Sequence, residues 1–124
     1  PRIMGWLAES YWAGWRPPAE VRTSWDAAAI VLGLYDGQEM IGCARVVSDF
    51  TRFSYLSDVF VDPHYRGLGL GRWLVETAVA HPAISENSRW VLHTSDAQGL
   101  YAQLGFEPAG AGVMERPRKG APRS

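Results

Sequence analysis

The sequence predicts an α/β (α+β) fold, a single domain whose central sheet is mixed, mostly antiparallel and flanked by helices. Three observations predict it. Residues 30–61 hold three β-rich runs in succession, the first two joined by the turn signal Asp36-Gly37-Gln38. The third run leads into a helical stretch at 70–80 and then another apolar run at 90–94, the order of a strand–helix–strand crossover. The length, 124 residues with 47% hydrophobic and 20% charged, suits one globular domain with a real core.

The elements follow in order. Ile3, Trp6, Leu7 and Tyr11 recur at helical spacing and predict a helix over 3–12, ending near Gly14. Pro17-Pro18 interrupts it, and Pro18 suits the first turn of a second helix reaching about residue 28. Strands are predicted at 30–35, 40–48 and 53–61, the last closed by Asp62-Pro63. A helix over 70–80 stops before Pro82, a strand follows at 90–94, and a short helix spans 97–104. Asp96 is the expected N-cap of that short helix, and Gly105 occupies its left-handed C-terminal position. Residues 106–108 and 113–116 are expected as short final strands. The domain is thus 1–116, and 117–124 reads as an unstructured, solvated tail.

Several function classes are excluded at this level. Net charge is −1, so no basic field draws the chain to nucleic acid or an anionic membrane. Apolar runs are too short to cross a bilayer and no signal-peptide pattern opens the chain, so a cytoplasmic location is expected. A single cysteine, Cys43, excludes an internal disulfide and gives no metal cluster, and no metal is expected. Lying in a strand run with no base patterned around it, Cys43 reads as a small core residue.

The chemistry concentrates at His64-Tyr65-Arg66-Gly67-Leu68-Gly69-Leu70-Gly71-Arg72. Glycine costs up to about 1 kcal/mol more than alanine inside a helix, so three at alternate positions before a helix need a reason. At a helix N-terminus the first N–H groups lack internal partners and the macrodipole is positive. Bare backbone there can close around a phosphate, with Arg66 and Arg72 on either side and His64 and Tyr65 shaping the turn. The lysine of a P-loop is absent, and Arg72 stands where a dinucleotide fingerprint needs its last glycine.

The spacing that fits is Arg66-x-x-Gly69-x-Gly71 after Val59-Phe60-Val61-Asp62-Pro63. Here the sequence resembles the GNAT acetyltransferase superfamily, whose Arg/Gln-x-x-Gly-x-Gly/Ala loop holds the pyrophosphate of acetyl-CoA. A second hallmark supports it: Leu100-Tyr101-Ala102-Gln103-Leu104-Gly105-Phe106 resembles the family's Leu-Tyr-x-x-x-Gly-Phe. The resemblance runs from the first helix to Arg116 and implies a single GNAT-like domain. It implies that Val59, Phe60 and Val61 pair with the pantetheine arm, and that Arg66, Gly67, Leu68, Gly69, Leu70, Gly71 and Arg72 hold the pyrophosphate. Tyr101 matches the tyrosine that protonates the departing CoA thiolate; a phenol is protonated at pH 7 and can donate to a developing thiolate.

The departures are specific. Where the family often has asparagine seven residues before that tyrosine, this chain has Thr94, which can still hydrogen-bond the cofactor. The place of a common strand glutamate holds Arg89, so no base is inherited. His93 and Asp58 are the candidates to take a proton from an ammonium acceptor, directly or through water; each could equally be a hydrogen-bonded structural residue. The family's leading strand is missing or very short, which exposes a sheet edge and suggests a homodimer that covers it. The resemblance also makes the first two helices one wall of the acceptor site. Tyr11, Trp12, Trp15 and Trp25 could offer cation–π surface there and Glu9 and Glu20 charge, or the aromatics are simply core.

Together these imply an enzyme that transfers acetyl from acetyl-CoA, its co-substrate, to a primary amine by direct attack. The acceptor is a small molecule or a peptide, and neither nucleic acid nor a membrane is a partner. The alternatives are a catalytically silent acyl-CoA-binding domain, acting as sensor or partner, and a binder of another nucleotide.

Overall fold

Gly37, at φ 61°, makes the turn of the first hairpin in the left-handed region that glycine enters without penalty. It joins β1 (Ile30–Asp36) to β2 (Glu39–Ser48), which pair antiparallel with one register shift between Leu34 and Tyr35. β3 (Phe53–Val61) lies antiparallel on the other side of β2. The computed structural model describes residues 18–94, 96–110 and 112–116; the helix expected at 3–12 and the question of a leading strand lie outside them. The chain divides into two compact units, one ending at His93 and one beginning at Thr94.

In the first unit, α1 (Pro18–Asp26) begins at Pro18 as expected and stops two residues short of the predicted end. After β3, a single 3₁₀ turn (Pro63–Tyr65) leads to α2 (Leu70–Val79), and the chain returns to β4 (Arg89–Val91). β4 pairs parallel with β3, so the sheet order is β1-β2-β3-β4, antiparallel except for that last pair. The meander and crossover are therefore those the sequence predicts.

Alternation along β3 sends its residues to two apolar clusters on opposite faces. Val59 and Val61 pack with Leu70 and Tyr65 around buried Leu34, Ile41 and Leu74. Phe60 and Cys43 form the other cluster, against Trp25 of α1 and Met40. β2 is central and buried from Ile41 to Val46.

Two polar devices close the unit's far end. Asp49 Oδ1 accepts the backbone N–H groups of Thr51, Arg52 and Phe53 at 3.0, 2.8 and 3.1 Å, which shapes the β2–β3 loop. A file of hydroxyls crosses from β2 to the approach to β4: Ser48 to Ser54 at 2.9 Å, and Ser54 to Ser88 at 2.7 Å. Ser48 also donates to the Phe53 carbonyl, 3.1 Å away, and Ser54 is fully buried.

Three expectations need correction. The strand at 90–94 is shorter and one residue earlier, Arg89–Val91, because the parallel ladder ends at Tyr55↔Val91. Residues 106–110 and 112–116 form no strand; Pro108 lacks a donor, and Gly105, Gly110 and Gly112 punctuate the stretch. In the second unit, α3 (Gln98–Gln103) has Ala97 as its N-cap with no side-chain cap bond, so Asp96 does not cap it. Thr94 Oγ1 accepts the Ala97 N–H at 3.0 Å instead.

Candidate active site

β3 runs over nine residues but pairs with β4 only along Phe53–Tyr55. From Leu56 to Val61 its β4 side has no strand partner among the described residues. That stretch contains Val59, Phe60 and Val61, the residues expected to meet the pantetheine arm.

The same stretch carries a β-bulge. Cys43 pairs with Phe60 and Arg45 with Ser57, so two residues of β3, Asp58 and Val59, stand opposite Ala44 alone. Asp58 holds φ 55°, left-handed and unusual for a residue other than glycine. Its carboxylate is buried and accepts from Arg45 Nε at 3.0 Å, while Arg45 Nη2 donates to Ser57 Oγ at 3.0 Å. Cys43, fully buried, donates its Sγ–H to the Asp58 carbonyl at 3.6 Å. Burial pushes its thiol from 9.0 up to about 12, and the charge of Asp58 adds to the effect.

The glycine loop grows directly from the end of β3. Asp62 donates its N–H to the Ile41 carbonyl at 2.7 Å and accepts the His64 N–H at 2.9 Å, starting the 3₁₀ turn. Its Oδ1 also meets His64 Nδ1 at 3.0 Å. Tyr65 donates its O–H to Asp36 Oδ2 at 3.0 Å, which pins the loop to the β1–β2 turn, and that bond raises the phenol pKa. Arg66 Nε donates to the Val61 carbonyl at 3.1 Å, and its guanidinium lies 5.2 Å from the centre of the Phe60 ring.

Gly67 (φ 84°) and Gly69 (φ 77°) both take the left-handed conformation. Gly69 is the N-cap of α2 without a side-chain cap, and Trp73 N–H closes the first helical bond on its carbonyl at 3.1 Å. A Cβ at Gly67 or Gly69 would meet nothing within 4 Å, so the loop faces open space. Gly71 differs: it is already helical, and a Cβ there would touch only Val61, at an ordinary 3.9 Å. The first turn of α2, whose N–H groups lack intrahelical partners, thus follows two left-handed glycines with open space beside them, an arrangement suited to an anion. Leu68 projects outward at 68% exposure, and Leu70 turns into the core. Arg72 pairs with Glu76 at 3.3 Å along the helix surface.

His93 ends the first unit. Its Nδ1 lies 2.7 Å from the hydroxyl of Tyr55, across the strands just past the last ladder pair, and the side chain is exposed. Tyr55 was invisible as a site residue in the sequence, as was Arg45, although an arginine inside the apolar run Cys43-Ala44-Arg45-Val46-Val47 is itself a signal. Trp25 is half-buried against the Cys43–Phe60 cluster and Glu20 is exposed on α1, whereas Glu9, Tyr11, Trp12 and Trp15 lie outside the described residues.

In the second unit, the reason for the Leu-Tyr-x-x-x-Gly-Phe pattern is plain. Gly105, at φ 92°, reverses the chain after α3, its N–H reaching the Ala102 carbonyl at 3.2 Å. Phe106 N–H then bonds the Tyr101 carbonyl at 3.0 Å, a Schellman closure. The Phe106 ring meets Tyr101 edge-on at 5.8 Å and 74°, which fixes the half-buried tyrosine on a rigid corner. Among the described residues no group of three or more His, Cys, Asp or Glu could hold a metal ion, and no helix is long and apolar enough to cross a membrane.

Comparison with known proteins gives these elements a common frame. Residues 27–108 match the model of the acetyltransferase (GNAT) domain. The fold superposes on a GNAT-family structure from Xanthomonas campestris with TM-score 0.87 and 36% identity, covering 96% of this chain and 85% of the other. A GCN5-related N-acetyltransferase of Arabidopsis thaliana, chloroplastic, is 36% identical over 78 residues, 61% of this chain. A relative from Gibberella zeae, named as an acetyltransferase, is 30% identical over 86 residues, 53% of this chain. The chain spans only 30% and 47% of the lengths of these two curated relatives. The family match spans well over half of the chain, and the chain belongs to the GNAT acetyltransferase family.

Proposed function

We propose that this chain transfers an acetyl group from acetyl-CoA to a primary amine. The observation that carries this reading is the continuity of an open β3 edge with a left-handed glycine loop on the N-terminus of α2. The backbone of Val59, Phe60 and Val61 offers hydrogen bonds to an extended pantetheine arm, as a fifth strand would. The pyrophosphate sits over the N–H groups from Gly67 to Arg72, with Arg66 held beside them by Val61 and Phe60. Thr94 keeps a hydroxyl proton with which to bond the cofactor.

The reaction is direct. The amine gives its proton to His93 or to water, and its nitrogen attacks the thioester carbonyl. Backbone N–H near Phe60 and Val61 stabilises the oxyanion. The C–S bond then breaks, and Tyr101 protonates the leaving thiolate. His93 is suited to its part because the Tyr55 hydroxyl, 2.7 Å from Nδ1, holds an imidazole in place just past the end of the β3–β4 ladder.

Thiol release from acetyl-CoA, measured with spermidine, glucosamine 6-phosphate and a lysine-containing peptide against a blank without amine, tests the reading. Release above the blank with at least one amine is expected. Binding of acetyl-CoA without release above the blank for any amine class would make the chain a silent acyl-CoA binder and refute the proposal.

A further inference from the structure

Alternation along a strand sends consecutive side chains to opposite faces. Ser57 and Asp58 break that rule, since both meet the guanidinium of Arg45, one through Nη2 and the other through Nε. They do so because the backbone at Asp58 is left-handed, at the point where β3 carries one residue more than β2. Arg45 is 7% exposed and Asp58 6%, so this is an ion pair sealed within the sheet face rather than a surface contact.

Glycine is the usual occupant of a left-handed bulge position. An aspartate there is strained unless its side chain is held, and Arg45 holds it with a fork that also reaches the preceding residue. The residues that follow at once, Val59 to Val61, form the open edge. Beyond the bulge Phe60 and Val61 are paired with Cys43 and Gly42, so the bulge sets how their other side is presented.

We propose that Arg45 is a positioning residue for acetyl transfer. It clamps Ser57 and Asp58 and so fixes the left-handed bulge that aims the backbone of Val59–Val61 at the thioester. Asp58 is then the anchor of the bulge and not the base that takes the proton of the amine. This inference rests on the acetyl-transfer reading, because the aimed segment is the one that reading gives to acetyl-CoA.

The two roles for Asp58 separate in three variants. Asparagine adopts the left-handed conformation readily and its Oδ1 still accepts from Arg45, so Asp58→Asn should lose at most about threefold in kcat with the pH profile in place. Arg45→Lys keeps a cation beside Asp58, and therefore the fold, but one ammonium cannot reproduce the fork. It should raise KM for acetyl-CoA and lower kcat/KM by about 10²-fold, the scale of a small displacement at a reacting centre. Arg45→Met combined with Asp58→Gly removes the buried charges together and supplies a residue at ease at positive φ, so it should recover part of the loss seen in Arg45→Lys.

Asp58→Asn losing 10²–10⁴-fold in kcat with acetyl-CoA affinity intact would make Asp58 the proton acceptor and overturn the proposal. Arg45→Lys with wild-type kcat and KM would overturn it equally. Calorimetry of the wild-type chain with acetyl-CoA distinguishes the other failure: no binding and no thiol release refutes acetyl transfer itself, and the positioning role with it.

Discussion

Replacing Gly69 separates what the glycine loop does for the fold from what it does for a ligand. Gly69 sits at φ 77°, and a Cβ there would meet nothing within 4 Å, so crowding plays no part in the cost. Left-handed backbone alone costs an L-residue about 1–2 kcal/mol, and a β-branched side chain lies at the upper end. Gly69→Val should therefore lose about 2 kcal/mol, and at about 4 °C per kcal/mol for a chain of this size its Tm should fall by about 8 °C. Asparagine tolerates the same conformation, so Gly69→Asn should melt within about 2 °C of the wild type. Its side chain nonetheless occupies the open space above the first turn of α2. Losing one charge-assisted bond between an amide and the pyrophosphate costs about 1.5–3 kcal/mol, or roughly 10- to 150-fold in Kd. Differential scanning fluorimetry and calorimetry with acetyl-CoA, run on both variants, read the two quantities independently. A Gly69→Asn variant with wild-type Tm and wild-type Kd would refute the assignment of this loop to the pyrophosphate.

Tyr101→Phe should keep its edge-on contact with Phe106 and its affinity for acetyl-CoA while kcat falls about 10²–10⁴-fold; turnover within a few-fold of wild type would return Tyr101 to a structural role. The Cys43 thiol, pushed up to about 12 by burial, should resist Ellman's reagent at pH 8 in the native chain and react fully in denaturant. Asp49 is held near 2 in the fold against an ordinary 3.8, chiefly by the N–H of Arg52 and then by those of Thr51 and Phe53. Its folded pKa is the lower one, so its contribution is complete above about 3.8 and disappears as pH falls toward about 2. In urea unfolding, the stability gap between wild type and Asp49→Ala should close across that window.

What was legible in the sequence was whatever a local residue dictates. Gly37 announces the hairpin because its φ of 61° suits glycine, and Gly105 announces the corner on which Phe106 folds back to Tyr101. The loop is legible for the same reason, since Gly67 and Gly69 stand where the backbone is left-handed. The misjudged strands are those whose existence depends on a partner. β4 stops at Val91 because β3 offers it only Phe53–Tyr55, and 106–108 has a proline where a strand would donate. Asp58 was legible as an unusual carboxylate beside the loop but not as the partner of Arg45. That pairing depends on a one-residue slip between β2 and β3, and no periodicity encodes a bulge.

The file of serine hydroxyls gives the sheet a direction that its backbone lacks. Each hydroxyl has one hydrogen, and Ser48 spends its own on the Phe53 carbonyl. Ser54 must then donate to Ser48, and Ser88 to Ser54, so the wire runs one way from the approach to β4 into β2. Cutting it at Ser54 strands both neighbours, whereas cutting it at Ser88 leaves the link to Ser48 intact. Since the parallel seam has only three paired residues on each strand, the wire adds to the backbone bonds of Arg89 to Arg52 and Ser85 to Phe50 in fastening this end of β4. Deuterium should enter the amides of β4 well before those of β2, and losing the Ser54 hydroxyl should widen that interval. The strand beside the open edge is thus latched by three protons in series, and amide exchange reads how firmly that latch holds.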